Sequence, residues 1–131
     1  MRDMVKALHQ KGFTVLMDVV YNHVSQNDIN PLRFIDYEFY FKQTEKTGCG
    51  NELESRRKMV RRLVIDSLKY WMNEYKIDGF RFDLATAFDR ATVEAIAEET
   101  RKINPEVFLI AEPWGGEGAV IRKDFQDCGF R

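Results

Sequence analysis

The chain has 131 residues, with 20 Lys and Arg against 21 Asp and Glu and a net charge of −1. That length suits one ordinary domain and no second one. The balanced charge, with no long basic run, argues against nucleic acid as a main partner. No apolar run nears the ~18 residues of a membrane span, and no charged-then-apolar leader precedes the first predicted helix. Cys49 and Cys128 lie far apart without metal-ligand spacing and read as two free thiols, so a cytoplasmic protein that does not contact a membrane is expected.

The first eleven residues place Met1, Met4, Val5 and Leu8 on one helical face, and Gly12 supplies a stop. Residues 13–20 are a nearly continuous apolar run broken by Asp18, the pattern of a strand buried on both faces. Residues 24–57 have no sustained period and carry turn signals at Asn27-Asp28, Asn30-Pro31 and Gly48-Cys49-Gly50-Asn51. They read as a long loop, with the aromatic run Phe34 to Phe41 as a short ordered element. Residues 58–75 are the clearest helix, with Val60, Leu63, Val64, Leu68, Trp71 and Met72 as its apolar stripe. A strand follows over 77–84. Asp89 is the N-cap of a helix that Asn104-Pro105 ends, and a last strand runs over 107–112. Gly115, Gly116 and Gly118 then make a loop, and no further element is predicted.

Strands alternating with helices imply a parallel α/β sheet with right-handed crossovers. Asp83 and Glu112 stand 29 positions apart, one strand–helix repeat; Asp18 and Asp83 stand 65 apart, one repeat plus an insertion. A barrel of eight such repeats needs about 250 residues. Three strands with a long irregular insertion would make a poor independent domain. The chain therefore reads as part of a (β/α)8 barrel rather than a small open sheet.

Asp18, Asp83 and Glu112 each stand where a strand-like run ends. In parallel α/β folds those ends open onto one face, where chemistry is done. Arg81 and Asp83 are two apart and share a face, while Phe80 and Phe82 point to the helices. An arginine so placed would hold Asp83 charged and fixed, as a nucleophile needs; a plain Arg–Asp pair closing the sheet reads equally well. Glu112 lies between Ala111 and Pro113-Trp114, an apolar setting that disfavours charge and suits a general acid; a loop or N-cap carboxylate is the alternative. Asp18 reads as a buried structural hydrogen-bond partner or a site carboxylate. His23 reads as a donor to a substrate hydroxyl or a structural histidine, and Asn22 as a substrate contact, a Ca²⁺ ligand or a turn residue.

DVVYNH (Asp18 to His23), GFRFD (Gly79 to Asp83) and AEPW (Ala111 to Trp114), in that order, resemble signature segments of the alpha-amylase superfamily, glycoside hydrolase family 13. The resemblance implies a (β/α)8 barrel of which the third, fourth and fifth strands are present, acting on α-glucans with retention at the anomeric carbon. It implies Asp83 as nucleophile, Glu112 as general acid/base and Arg81 as the residue positioning the nucleophile. It places His23 against the sugar beside the scissile bond, with Asp18 as a supporting carboxylate. Tyr21 and Trp114 belong to the same segments as substrate contacts. Thr86 and Ala87 replace the Lys-His pair that many alpha-amylases carry after the nucleophile. With AEPW and the GCGN loop, this resembles the isoamylase, glycogen-debranching and pullulanase group, which cuts α-1,6 branch links of glycogen, starch or pullulan. No cofactor is implied beyond that Ca²⁺ reading of Asn22.

The family's fourth segment, with a further histidine and a third acidic residue, has no counterpart here, and no histidine follows His23. The isolated chain is therefore expected to be an incomplete, inactive fragment. The alternatives are an α-1,4-acting or glycosyl-transferring member of the superfamily, a metal-dependent enolase-like barrel enzyme, and a non-catalytic truncated product.

Overall fold

The computed structural model describes residues 1–25, 30–44, 47–113 and 123–131. Its centre is a parallel three-stranded sheet in the order β1 (Leu16–Val19), β2 (Gly79–Phe82), β3 (Phe108–Ala111). Leu16 registers with Gly79 and Gly79 with Phe108; Asp18 registers with Arg81 and Arg81 with Ile110. Register partners in a parallel sheet share a face, so alternation sorts the side chains into two sets. Val19, Phe80, Phe82, Leu109 and Ala111 are buried against helices. Leu16, Asp18, Arg81, Phe108 and Ile110 form the other face.

Helix α1 (Arg2–Gln10) ends where Gly12 takes φ +80°, with Gly12 N–H on the His9 carbonyl and Phe13 N–H on that of Leu8. This paired arrangement satisfies carbonyls the helix leaves open. Val5 is its buried residue; Met1 and Met4 are exposed despite their place on the expected apolar face. Helix α3 (Lys58–Tyr75) has the expected bounds and buries Val60, Val64, Leu68 and Met72, four apart along one stripe. Leu63 lies outside the core at 44% exposure and Trp71 at its margin. Helix α4 (Arg90–Arg101) starts at Asp89, whose carboxylate accepts from Thr92 N–H, and buries Val93, Ile96 and Ala97. Each large apolar side chain so buried contributes about 1.5–3 kcal/mol.

Three features differ from expectation. The short ordered element expected over residues 34–41 is a helix that starts earlier: Asn30 caps α2 (Pro31–Tyr40), with Pro31 in its first turn. Proline at that position loses no needed hydrogen bond, so the same dipeptide that signals a turn starts a helix here. The helix breaks at Asp36, whose carboxylate accepts from Phe39 N–H and so caps the second half. A second difference is a short helix α5 (Lys123–Asp127), which buries Phe125 against Phe130 with ring centroids 5.3 Å apart. The third concerns the strand run at 13–20. It is covered on one face only: Phe13, Leu16 and Val20 are exposed because nothing among the described residues packs over them. Among the described residues no strand pairs with the outer edge of β1, whereas β3 is flanked by Arg131, whose N–H donates to the Leu109 carbonyl at 2.9 Å and whose carbonyl accepts from Ala111 N–H at 2.8 Å. The glycine loop expected at Gly115, Gly116 and Gly118 lies outside the described residues.

Two positions test this packing. A Cβ on Gly79 would meet the Phe108 carbonyl oxygen at 2.3 Å and the Phe108 Cβ at 2.6 Å, both fixed by the β2–β3 pairing. Gly79→Ala should lower stability by about 1–3 kcal/mol in urea unfolding, the range for overpacking. At Asp89, burial alone would raise the carboxyl pKa. The hydroxyls of Thr92 and Ser55, the Arg61 guanidinium and the Thr92 N–H overcome it and hold the group below its ordinary value. A lowered folded-state pKa stabilises fully above the unfolded value of about 3.9 and is lost as pH falls through the folded value. Asp89→Asn should therefore be less stable than the parent at pH 7, with the gap closing as pH drops below about 4.

Candidate active site at the carboxyl ends of the strands

The parallel register carries Asp18, Asp83 and Glu112 to one end of the sheet. Asp18 is within β1, opposite Arg81; Asp83 and Glu112 each stand one residue past a strand end. Backbone bonds hold both overhanging residues: Asp83 N–H donates to the Val19 carbonyl at 3.1 Å and Glu112 N–H to that of Phe82 at 3.0 Å. The ladder thus extends one step beyond the strands and fixes where both side chains leave the backbone.

One guanidinium lies among the three carboxyl groups. Arg81 Nη1 is 2.8 and 2.9 Å from the two Asp18 oxygens, and Nη2 is 2.5 Å from Glu112 Oε1. Asp83 Oδ1 stands 3.9 Å from Nη1. Asp18, first among the causes, and the nearby Glu112 and Asp83 raise the Arg81 pKa above its already high ordinary value, so it remains a cation. Arg81 and Asp83 do share a face, as expected, but the arginine's close partners are Asp18 and Glu112. Nor does Asp18 take the buried structural role: its side chain is 62% exposed.

Glu112 is held by donors on both oxygens. Besides Arg81, its Oε2 accepts from Leu84 N–H at 3.0 Å, and its backbone carbonyl accepts from Ala85 N–H at 3.2 Å. Leu84 adopts a left-handed conformation, φ 43° and ψ 46°. A bulky residue there is strained, and such strain persists where surrounding contacts over-determine it. Here the turn aims the amide next to Asp83 at Glu112. Among the described residues the Glu112 carboxyl group meets polar partners, Arg81 and the Leu84 amide. Trp114, expected as a substrate contact, lies outside the described residues.

The DVVYNH segment divides. Asn22 is buried, and its Nδ2 donates to the Asp83 carbonyl at 2.5 Å and to Asp83 Oδ2 at 3.2 Å. His23 Nδ1 bonds Asn22 Oδ1. Both ends of the amide are therefore engaged by protein groups. An antiparallel bridge between His23 and Glu52 ties this segment to the GCGN loop, with Leu53 N–H on the Asn22 carbonyl at 2.9 Å. Tyr21, expected as a substrate contact, turns away from the carboxyl groups. Its hydroxyl meets Ser67 of α3 at 2.6 Å and its ring joins the core; burial pushes the phenol pKa up.

Two contributors carried no signal that pattern reading could use. For Asn22 the sequence offers a substrate contact, a Ca²⁺ ligand or a turn residue, and none of these anticipates its partner 61 positions away. Asp78, at the opposite end of β2, accepts from Val15 N–H at 2.7 Å and contacts His9 Nε2 at 2.8 Å, which pins α1 and β1 to the sheet's other end.

No protein-family model matches the chain. Among curated proteins, it is 37% identical over 120 residues to "Pullulanase" of Bacillus subtilis (strain 168), covering 87% of this chain and 17% of that protein. It is 39% identical over 132 residues to "Glycogen debranching enzyme" of Yersinia enterocolitica, covering 87% of this chain and 20% of that protein. The chain thus spans at most about a fifth of the length of these relatives. Among solved structures, the pullulanase of Paenibacillus barengoltzii in complex with maltohexaose and alpha-cyclodextrin superposes with a TM-score of 0.85. It is 33% identical, covering 98% of this chain and 22% of that one. Motifs, relatives and fold agree: this chain is similar to the pullulanases and glycogen-debranching enzymes whose group its three segments resemble.

Proposed function

We propose that this chain forms part of the active site of a retaining α-glucan hydrolase that cuts α-1,6 branch links in glycogen, starch or pullulan. Its strands would be the third, fourth and fifth of a (β/α)8 barrel. The observation that carries this reading is the gathering of Asp18, Asp83 and Glu112 about the Arg81 guanidinium at one sheet end.

In the proposed reaction Asp83 attacks the anomeric carbon while Glu112 gives its proton to the departing glycosidic oxygen. Water then cleaves the glycosyl–Asp83 ester as Glu112 takes the proton back. Retaining enzymes place these carboxyl groups roughly 5–5.5 Å apart. Asn22 and the Val19 carbonyl fix the base of Asp83. Leu84 N–H holds Glu112, and Arg81 must leave its oxygen for the glycosidic oxygen to replace it. His23 and Asp18 would contact the sugar beside the broken bond. The names of the relatives favour debranching over α-1,4 cleavage or glycosyl transfer. An enolase-like metal site is disfavoured by charge, since Arg81 sits where a divalent ion would need the carboxylates. A sequence with two cysteines 79 positions apart and no disulfide framework suits a reducing compartment, and we assign the protein to the cytoplasm. Among the described residues no helix is long and apolar enough to cross a membrane.

By itself the 131-residue chain should release no reducing ends from pullulan or glycogen, because the sheet face bearing Asp18 and Arg81 is only partly walled. Robust turnover lost in Asp83→Asn would contradict that incompleteness. Binding tests the substrate class. In ¹⁵N spectra, a malto-oligosaccharide carrying one α-1,6 link should shift the amides of Asp83, Leu84 and Glu112 more than linear maltohexaose does. Shifts confined to α1 or α4, or none at saturating sugar, would defeat the glucan reading. Arg81→Met removes the cation among three carboxyl groups, so its urea midpoint should fall at low salt and recover partly near ~1 M salt, where repulsion is screened. A salt-independent loss would mean that Arg81 acts by packing alone.

A further inference from the structure

Asn22 has an amide whose two ends can be told apart by their partners. The end near Asp83 faces a backbone carbonyl oxygen at 2.5 Å and a carboxyl oxygen at 3.2 Å. A carbonyl only accepts, so that end must be the NH₂. The other end is therefore Oδ1, which also only accepts. The ring nitrogen facing it, His23 Nδ1, must carry a hydrogen. In neutral imidazole only one nitrogen is protonated, so Nε2 is left as an acceptor. The amide cannot turn over without setting its oxygen against the Asp83 carbonyl. Nor can it drift, since it is 2% exposed and its backbone carbonyl is bound by Leu53 N–H.

We propose that Asn22 is a positioning residue that locks neutral His23 in its Nδ1–H tautomer, so that this histidine meets a sugar hydroxyl through Nε2 as a hydrogen-bond acceptor. This reverses the sense expected from sequence, where His23 donates. The same amide holds the Asp83 backbone, so one side chain ties the orientation of the nucleophile to the polarity of the neighbouring contact. The sugar-facing part rests on the proposed glucan site, but the tautomer does not, and it can be measured without any sugar.

The test uses the full 131-residue chain with ¹⁵N-labelled histidine. Long-range ¹H–¹⁵N correlations at about pH 8, above the ordinary imidazole pKa, read which ring nitrogen bears the proton. His9→Gln assigns the signals, since the chain has two histidines. Expected is a His23 pattern with Nδ1 protonated, changing in Asn22→Ala toward the Nε2–H form that a free imidazole prefers, while His9 is unmoved. A parent spectrum with Nε2 protonated overturns the proposal, as does an unchanged tautomer in a folded Asn22→Ala. If Asn22→Ala does not fold, the parent spectrum decides alone. A chain that binds no glucan yet shows Nδ1–H defeats the site's assignment and upholds the amide's role; glucan binding with Nε2–H does the reverse.

Discussion

Three carboxyl groups brought to one end of a sheet repel one another, and the Arg81 guanidinium is what makes the arrangement tenable. It enters from the middle strand, in register with Asp18, and reaches Glu112 on the far side. An ammonium in its place would be a point charge; the planar fork can meet two carboxylates in fixed directions at once. The convergence therefore depends on a side chain two residues before Asp83, and the strand period of two puts it on the required face. Local backbone features serve the same end. Leu84 accepts a left-handed conformation and delivers its amide to Glu112, and buried Asn22 binds the chain at Asp83.

The two faces of the sheet divide the labour. Phe80, Phe82, Leu109 and Val19 pack against α3 and α4 and supply the stability that keeps the strand ends in place. The opposite face carries the charged groups and contributes little burial, with Leu16 and Phe108 partly uncovered over Gly79. Asp78 and His9 fasten the far end of the strands, away from the three carboxyl groups. Parallel α/β barrels keep structural fastening at one end and chemistry at the other, and the site we propose follows that division.

Much of this was legible in the sequence because it rests on periodicity. The bounds of α3, the N-cap at Asp89, the inward Phe80 and Phe82, and the placing of Asp83 and Glu112 at strand ends all follow from repeats of 3.6 and 2 and from cap chemistry, whereas Asp18 lies inside β1, one residue short of its end. What stayed hidden depends on partners distant in sequence. Tyr21 follows the strand of Asp18 and adjoins Asn22, yet its hydroxyl finds Ser67 on α3. Asn30-Pro31 starts a helix because the aromatic residues that follow continue it. Arg81 chose Asp18 and Glu112 over its near neighbour Asp83, a preference set by cross-strand register and not by spacing along one strand. The pattern of a doubly buried strand at 13–20 is met on one face alone.

The central claim is spatial: the Asp83 and Glu112 carboxyl groups face a common space at one sheet end. A crystal structure of the chain with a bound malto-oligosaccharide tests it most directly. Expected is a glucose ring seated between the two side chains, their oxygens on the order of 5–5.5 Å apart, with Arg81 beside them. A sugar bound elsewhere, or the two carboxyl groups directed to opposite sides of the sheet, would contradict the assignment.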